Sequence, residues 1–308
     1  MDIDRKDRMW YIKPRYVVFE TTIERGIFMQ WKLVADSSCD LAVQKMEMPA
    51  GAAFATVPLK IIVGDQTFVD DDSLDVKAMR SALETYKGKT SSACPSPEEW
   101  AQEFREADQS IAVAMTSSLS GTYNSARVAK EMVLEEAPDK KIHVIDTKST
   151  AGHMVILCRR IRSWMEEKLP FEEICAKADE LNRNLRLLFT LQSFETLVKN
   201  GRMNKLVGLM ATRLHIRAVG RATEEGELGI LKKARGEEKA LTALVDTMEE
   251  LSVMQNREVF IHHSENPEAA EKVRKMIEEK YNSCKAYILP CRGLTSYYAE
   301  KGGVLVGF

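Results

Sequence analysis

The sequence predicts an α/β protein of two domains, a parallel-sheet unit followed by a unit built on a mixed sheet. Three observations carry this. At 308 residues the chain is longer than the roughly 250–300 residues at which a single hydrophobic core stops growing. From Trp31 onward, short apolar strands alternate with amphipathic helices, the pattern of βαβ units. Beyond about Gly152 the strands come in hairpin order instead, which a purely parallel sheet does not allow.

Taken along the chain, residues 1–30 mix charges with aromatics at no regular period. They are expected to be an extension outside the fold, either a gene-start artefact ahead of Met29 or a poorly ordered tail. Residues 31–35 (WKLVA) read as the opening strand, and 41–48 as the start of a helix. LKIIVGDQTFV, at 59–69, reads as a hairpin turning at Gly64-Asp65. SIAVAM (110–115) and IHVI (142–145) are buried strands, each followed by a helix, and the first domain is expected to cover 31–155. In the second, 156–308, strands at 186–191, 216–222, 228–234 and 258–263 with a turn at Glu225-Gly226 imply the mixed sheet. Helices at 237–251 and 267–281 carry apolar residues at helical spacing and are expected to cover one face of it.

Composition removes several classes of function. Forty-four Lys and Arg against 46 Asp and Glu give a net charge of -2, which offers nothing to the phosphates of a nucleic acid. A chain 44% hydrophobic and 29% charged has the material for a packed core. Its six cysteines are scattered without a C-x-x-C pair, so neither a zinc site nor a disulfide framework is expected. No run of 18 uncharged apolar residues and no apolar signal region occurs, and the reading is a cytoplasmic, reducing compartment. The P-loop, the dinucleotide fingerprint, the G-x-S-x-G elbow and H-E-x-x-H are all missing, so no nucleotide, metal or other cofactor is expected.

What remains is a set of hydroxyl-rich segments placed at strand ends: DSSCD (36–40), TSSACPSP (90–97), TSSLSGTYNSA (116–126) and DTKST (146–150). A helix start lined with hydroxyls and free N–H groups favours an anion such as a carboxylate or phosphate. Any one of these segments taken alone is better explained as an N-cap or a Ser/Thr turn. Four along one sheet edge point to an anion-binding crevice. A hydrolytic triad built from one of the five histidines ranks last, because a chain of this size holds a Ser, a His and an Asp by chance. LVKNGRMNK (197–205) reads as a helix end, a glycine stop and a new helix from about Asn204, with Arg202 projecting from an exposed junction, where it is more simply a solvated arginine than a ligand or partner contact. Met203 and Met210 nearby suit either a core gap or an acyl-chain tunnel.

The runs ADSSCDL, VPLKI followed by FVDD, SSACPSPEEW, TSSLSGTYNSA, VIDTKSTAG and LVKNGRMNK, in that order across 31–308, resemble the DegV family. The resemblance implies an α/β/α parallel-sheet domain, a smaller two-layer domain with a mixed sheet, and a tunnel between them holding one long-chain fatty acid. It further implies a binding subunit with no chemistry of its own. A separate ATP-dependent kinase would phosphorylate the acyl carboxylate for phospholipid metabolism. Carried onto this chain, the family's T-S-x-P-S segment makes Ser92 the carboxylate-contacting hydroxyl, with Ser91 one register away. The S-S-G-L-S-G-T segment makes Ser117, Ser120 and Gly121 the remaining head-group contacts, and places Ser118 where the pattern has glycine. Gly201 and Arg202 match a G-R junction, and Arg202 is expected to touch the partner. The chain departs from the pattern in having no histidine at 296–303, where Tyr298 is the available donor, and Ala218 in place of a proline. A lipid carrier serving another acceptor, and a serine hydrolase using Ser117 or Ser120, are the alternatives.

Overall fold

The computed structural model describes residues 29–42, 44, 46–204 and 216–308. The expected extension up to residue 28 and the helix expected after Asn204, with Met210, lie outside them. The first strand starts two residues earlier than Trp31: β1 (Met29–Asp36) enters a single 3-10 turn, Ser37–Cys39. There follow β2 (Ala52–Val57), β3 (Lys60–Val63), β4 (Gln66–Val69), α1 (Val76–Thr85), β5 (Thr90–Ala93) and α2 (Pro97–Arg105). Next come β6 (Ala107–Ala114), α3 (Thr122–Glu136), β7 (Lys141–Asp146), α4 (Gly152–Glu166) and α5 (Phe171–Asn184). The C-terminal part runs β8 (Leu187–Leu191), α6 (Glu195–Lys199), β9 (Ile216–Ala222), β10 (Leu228–Arg235) and α7 (Glu237–Leu251). It ends with β11 (Glu258–His263), α8 (Pro267–Lys280), β12 (Lys285–Pro290), α9 (Gly293–Ala299) and β13 (Val304–Gly307).

Among the described residues the strands form three sheets. One is wholly parallel in the order β2-β1-β6-β7. Its two faces are both apolar, as a sheet covered on both sides requires. Val34, Ala112 and Ala114 pack under Trp100 and Phe104 of α2 and Ala126 and Val133 of α3. Leu33, Ile111 and Val113 point the other way, onto Val155, Ile161 and Ile174 of α4 and α5. The second sheet is mixed, in the order β10-β9-β8-β13-β11-β12, with only β11 and β12 parallel. Amphipathic α7 and α8 bury Leu244, Met248, Val273 and Ile277 against one of its faces. Its other face looks toward the parallel sheet.

Two expectations need correction. The described residues of 41–48 contain no α-helical turn. Asp40 leaves the 3-10 turn at φ 57° and its carboxylate is engaged by the Arg292 N–H at 2.8 Å. Pro49 then disfavours helix in the residue before it. TSSA, read as a hydroxyl-rich loop ahead of a helix, is a strand: β5 pairs antiparallel with β3 in a small third sheet, β4-β3-β5. The signal behind the helix reading was real but lay three residues further on. There Ser96 and Glu99 form a reciprocal capping box, with Pro97 opening α2.

α4 joins the two large sheets. Its first residue, Gly152, lies against β13 so closely that a Cβ on Gly307 would sit 2.3 Å from the Gly152 carbonyl carbon. One residue on, buried His153 sets its Nε2 2.8 Å from Asn182 Oδ1, and Asn182 in turn donates to the Asp146 carbonyl at 2.9 Å. Burial holds this imidazole down to about 4, so it is neutral in the fold. A histidine whose folded value lies below its unfolded one stabilises above about pH 6.5 and loses that contribution as the pH falls. The loss amounts to about 2 kcal/mol by pH 5. Urea midpoints at pH 7 and pH 5 should therefore fall more steeply for the native chain than for His153→Gln. The difference isolates the group, because Asp36, pushed up to about 6 by burial, tilts both curves the opposite way.

Candidate ligand cavity

Between the parallel sheet and the open face of the mixed sheet lies a cavity of about 310 Å³. Alternation along β8 places Leu187, Phe189 and Leu191 on the cavity side, and Leu305 of β13 and Leu228 of β10 extend that wall. Met115, Leu119 and Leu294 face them from the other side. The enclosure is apolar except for a small set of polar side chains, among them Ser92, Ser120, Arg202 and Tyr298.

These polar groups are held by elements with identifiable anchors. Ser92 projects from β5, where it pairs with Ile61, and its hydroxyl lies 2.8 Å from the Tyr298 hydroxyl. Tyr298 rides on α9, whose start is tied down by Asp70: that carboxylate accepts the N–H groups of Gly293 at 2.8 Å and Leu294 at 2.9 Å. A carboxylate on the first N–H groups of a helix complements its dipole, which gives the FVDD run its structural reason. Thr295, one turn before Tyr298, shares its face and also lines the cavity. Tyr297 points elsewhere, bonded to Thr90 Oγ1 at 2.8 Å and to Asn200 Nδ2 at 2.9 Å. Burial pushes the Tyr298 phenol above its usual range, with Ser92 and Arg202 pulling partly against it. It stays protonated and able to donate.

Arg202 is not the exposed junction residue the sequence reading made it. α6 ends in a tight turn in which Gly201, at φ +71°, donates to the Val198 carbonyl at 3.0 Å and Arg202 N–H returns to Leu197 at 2.8 Å. The turn folds the guanidinium back into the cavity wall, where Nε donates to the Leu119 carbonyl at 3.2 Å. Gly121 lines the same region, and a Cβ there would lie 3.1 Å from Cys94 Sγ.

Other expected contacts fall outside the cavity. Ser117 is exposed and donates to Asp146 Oδ2 at 2.5 Å while accepting from Lys148 Nζ at 3.1 Å, so its hydroxyl belongs to a surface ion pair. Ser91 is the opposite pleat of β5 from Ser92 and is not among the lining residues. Ser120 lines the cavity but also serves the start of α3, accepting the Thr122 N–H at 3.3 Å. Of the four hydroxyl segments, three sit at the carboxyl edge of the parallel sheet and the fourth is in β5. The hydroxyls of DSSCD are spent internally: Ser37 accepts Leu59 N–H at 3.0 Å and Ser38 donates to Asp36 at 2.5 Å, both buried. Thr150 and Cys94 also line the cavity; both lie in the hydroxyl-rich segments read from the sequence, but neither was singled out there as a contact. Among the described residues no histidine lines it, so neither Ser92 nor Ser120 has a base beside it. Nor do the described residues hold a cluster of three His, Cys, Asp or Glu fit for a metal, or a helix long and apolar enough to cross a membrane.

Fold and site together define an α/β protein enclosing an apolar cavity with a few hydroxyls and one guanidinium, between a parallel and a mixed sheet. The model of the DegV family, described as an uncharacterised protein family, matches residues 30–308. The chain belongs to that family. A DegV domain-containing protein of Streptococcus pneumoniae is 39% identical over 281 residues, covering 91% of this chain and 99% of the relative. Among solved structures, the Fatty Acid Kinase (Fak) B3 protein of Streptococcus pneumoniae loaded with linoleic acid superposes with a TM-score of 0.88 at 37% identity, covering 91% of this chain and 99% of that one. A DegV family protein from Eubacterium eligens loaded with heptadecanoic acid gives a TM-score of 0.84 at 36% identity, covering 90% and 98%.

Proposed function

We propose that this chain binds one long-chain fatty acid in the cavity and presents its carboxylate to a separate ATP-dependent kinase that forms the acyl phosphate. The observation that carries the reading is the apolar wall of Leu187, Phe189, Leu191, Leu228 and Leu305 in one enclosure with the bonded pair Ser92 and Tyr298 and with Arg202. Linoleic and heptadecanoic acids in two relatives more than 35% identical support the choice of ligand, and the Fak B3 likeness supports the kinase. Each buried methylene contributes about 0.8 kcal/mol, so a sixteen-carbon tail gains on the order of 10 kcal/mol before ordering costs. The tail supplies affinity. Ser92, Tyr298 and Arg202 orient the carboxylate, while Ser120 and Gly121 shape the space around it. Delivery to an acceptor other than a kinase is the second reading, favoured by the tyrosine and arginine that occupy the head region in place of a histidine.

Native mass spectrometry of protein made in bacteria, followed by denaturing extraction, tests the binding step. One fatty acid per chain is expected. Protein that is consistently empty and takes up no labelled fatty acid would refute the reading. Addition of an acyl kinase and ATP to the loaded protein should then yield an acyl phosphate, trapped as the hydroxamate. Binding without that product leaves the carrier reading.

A further inference from the structure

The tip of the β9–β10 hairpin reaches out of the mixed sheet to the loop that follows β6. There Thr116 Oγ1 donates to the Gly226 carbonyl at 2.8 Å and accepts the Ser118 N–H at 3.2 Å. Ser118 Oγ donates to the Glu225 carbonyl at 2.5 Å. Gly226, at φ +85°, comes so near that a Cβ on it would sit 2.1 Å from Thr116 Oγ1 and 3.1 Å from Lys148 Cα. Thr116 is 2% exposed, so its hydroxyl exchanges these bonds with no water. Directly beyond it, Leu119, Ser120 and Gly121 line the cavity, and so does Leu228, two residues past the hairpin tip. Arg202 Nε grips the Leu119 carbonyl from the far side at 3.2 Å. The segment that forms part of the cavity wall is thus held between the hairpin of one sheet and the α6 junction.

We infer that Thr116, Ser118 and Gly226 are positioning residues that form a clasp, and that opening of this clasp sets the rate at which an acyl ligand leaves. The inference rests on the fatty-acid reading for its ligand. Releasing the clasp frees Leu119 on the loop and Leu228 on the hairpin together, two apolar wall residues contributed by different sheets. Hairpin and loop must separate for that wall to part, and the Thr116 hydroxyl is their one buried polar tie among these bonds.

The test is the dissociation of a fluorescent polyene fatty acid from loaded protein into fatty acid-free albumin, followed by stopped flow. Thr116→Val keeps the shape and removes the hydroxyl. Loss of one such bond is expected to accelerate release about fivefold, with the association rate changed less. Thr116→Ser, which restores the hydroxyl, should return within about twofold of the native rate. Ser118→Gly, at an exposed position, should accelerate release about twofold and keeps the test available if Thr116→Val folds poorly. Amide hydrogen exchange on the same proteins should show faster exchange at 117–121 and 224–228, with α7 and α8 unchanged. A native release rate in both Thr116→Val and Ser118→Gly would overturn the inference. If the native protein takes up no fatty acid, the fatty-acid reading has failed. The clasp is then judged by exchange alone: unchanged protection at 224–228 in Thr116→Val overturns it, and selective loss there upholds the contact.

Discussion

Replacing Gly307 by alanine is expected to cost the chain about 3 to 5 kcal/mol of stability, a loss as large as removing a buried leucine. The new methyl would lie 2.3 Å from the carbonyl carbon of Gly152, 2.4 Å from the His153 nitrogen and 2.7 Å from Gly152 Cα. All three are backbone atoms, so no side chain can rotate away and the start of α4 must lift off β13. Gly152 offers no room in return, since its own Cβ would meet the Phe260 carbonyl oxygen at 2.7 Å. Lifting α4 also disturbs the core it shares with the parallel sheet through Val155, Leu157 and Ile161. Guanidinium chloride unfolding of Gly307→Ala measures this directly. Gly51→Ala is the control: Gly51 has φ +81° with nothing within 4 Å of a Cβ, and it should lose only about 1 kcal/mol, from backbone strain alone. A Gly307→Ala loss no larger than the Gly51→Ala loss would mean that the close approach of helix and strand is not a feature of the folded protein.

Arg202→Met is expected to weaken fatty acid binding about 30- to 100-fold, the range of a charge-assisted hydrogen bond in a largely enclosed site. Methionine keeps the unbranched apolar stem, so most of the packing against the cavity wall survives while the guanidinium, with its charge and donors, is removed. Selectivity carries the argument. The guanidinium attracts a carboxylate but does little for a primary alcohol, so affinity for the fatty alcohol of the same chain length should change by less than about fivefold. Displacement titrations with the acid and the alcohol on both proteins decide the matter. Equal losses for the two ligands would assign Arg202 to holding the Leu119 carbonyl and leave the carboxylate to Ser92 and Tyr298.

Three of the four strands of the parallel sheet, β1, β6 and β7, were legible because burial on both faces writes them as apolar runs such as SIAVAM, and α7 because its apolar residues recur at helical spacing. β5 was not, since TSSA carries hydroxyls whose pleat is half-buried and whose strand character comes from pairing with β3. β2, β12 and β13 were passed over as well, β2 because only two of its six side chains are fully buried and β13 because it is only four residues long. At the site, Ser92, Ser120, Gly121 and Tyr298 were reached through motif order, and each lines the cavity. Ser117 misled because a hydroxyl's identity does not reveal its partner: Asp146 and Lys148, twenty-nine and thirty-one positions away, claim it. Arg202 misled for the opposite reason. A glycine turn reads as a surface feature, and only the folded chain shows that this one bends the side chain inward. Ser118 stood out as a departure from the family pattern, but its bond to the Glu225 carbonyl depends on a hairpin 107 residues further along.

The glycine contact between α4 and β13 has a mechanical meaning beyond its energy. A binding protein built as two jaws on a hinge admits its guest by rotating one half away from the other. Here the axle of such a rotation is blocked, because backbone meets backbone at Gly152 and Gly307 with no compliant side chain between them, and close-packed joints of this kind do not deform gradually. On the fatty-acid reading, this joint keeps the two sheets together where they touch, and the parting that admits a guest is expected at the rim, where the Thr116–Gly226 bond lies.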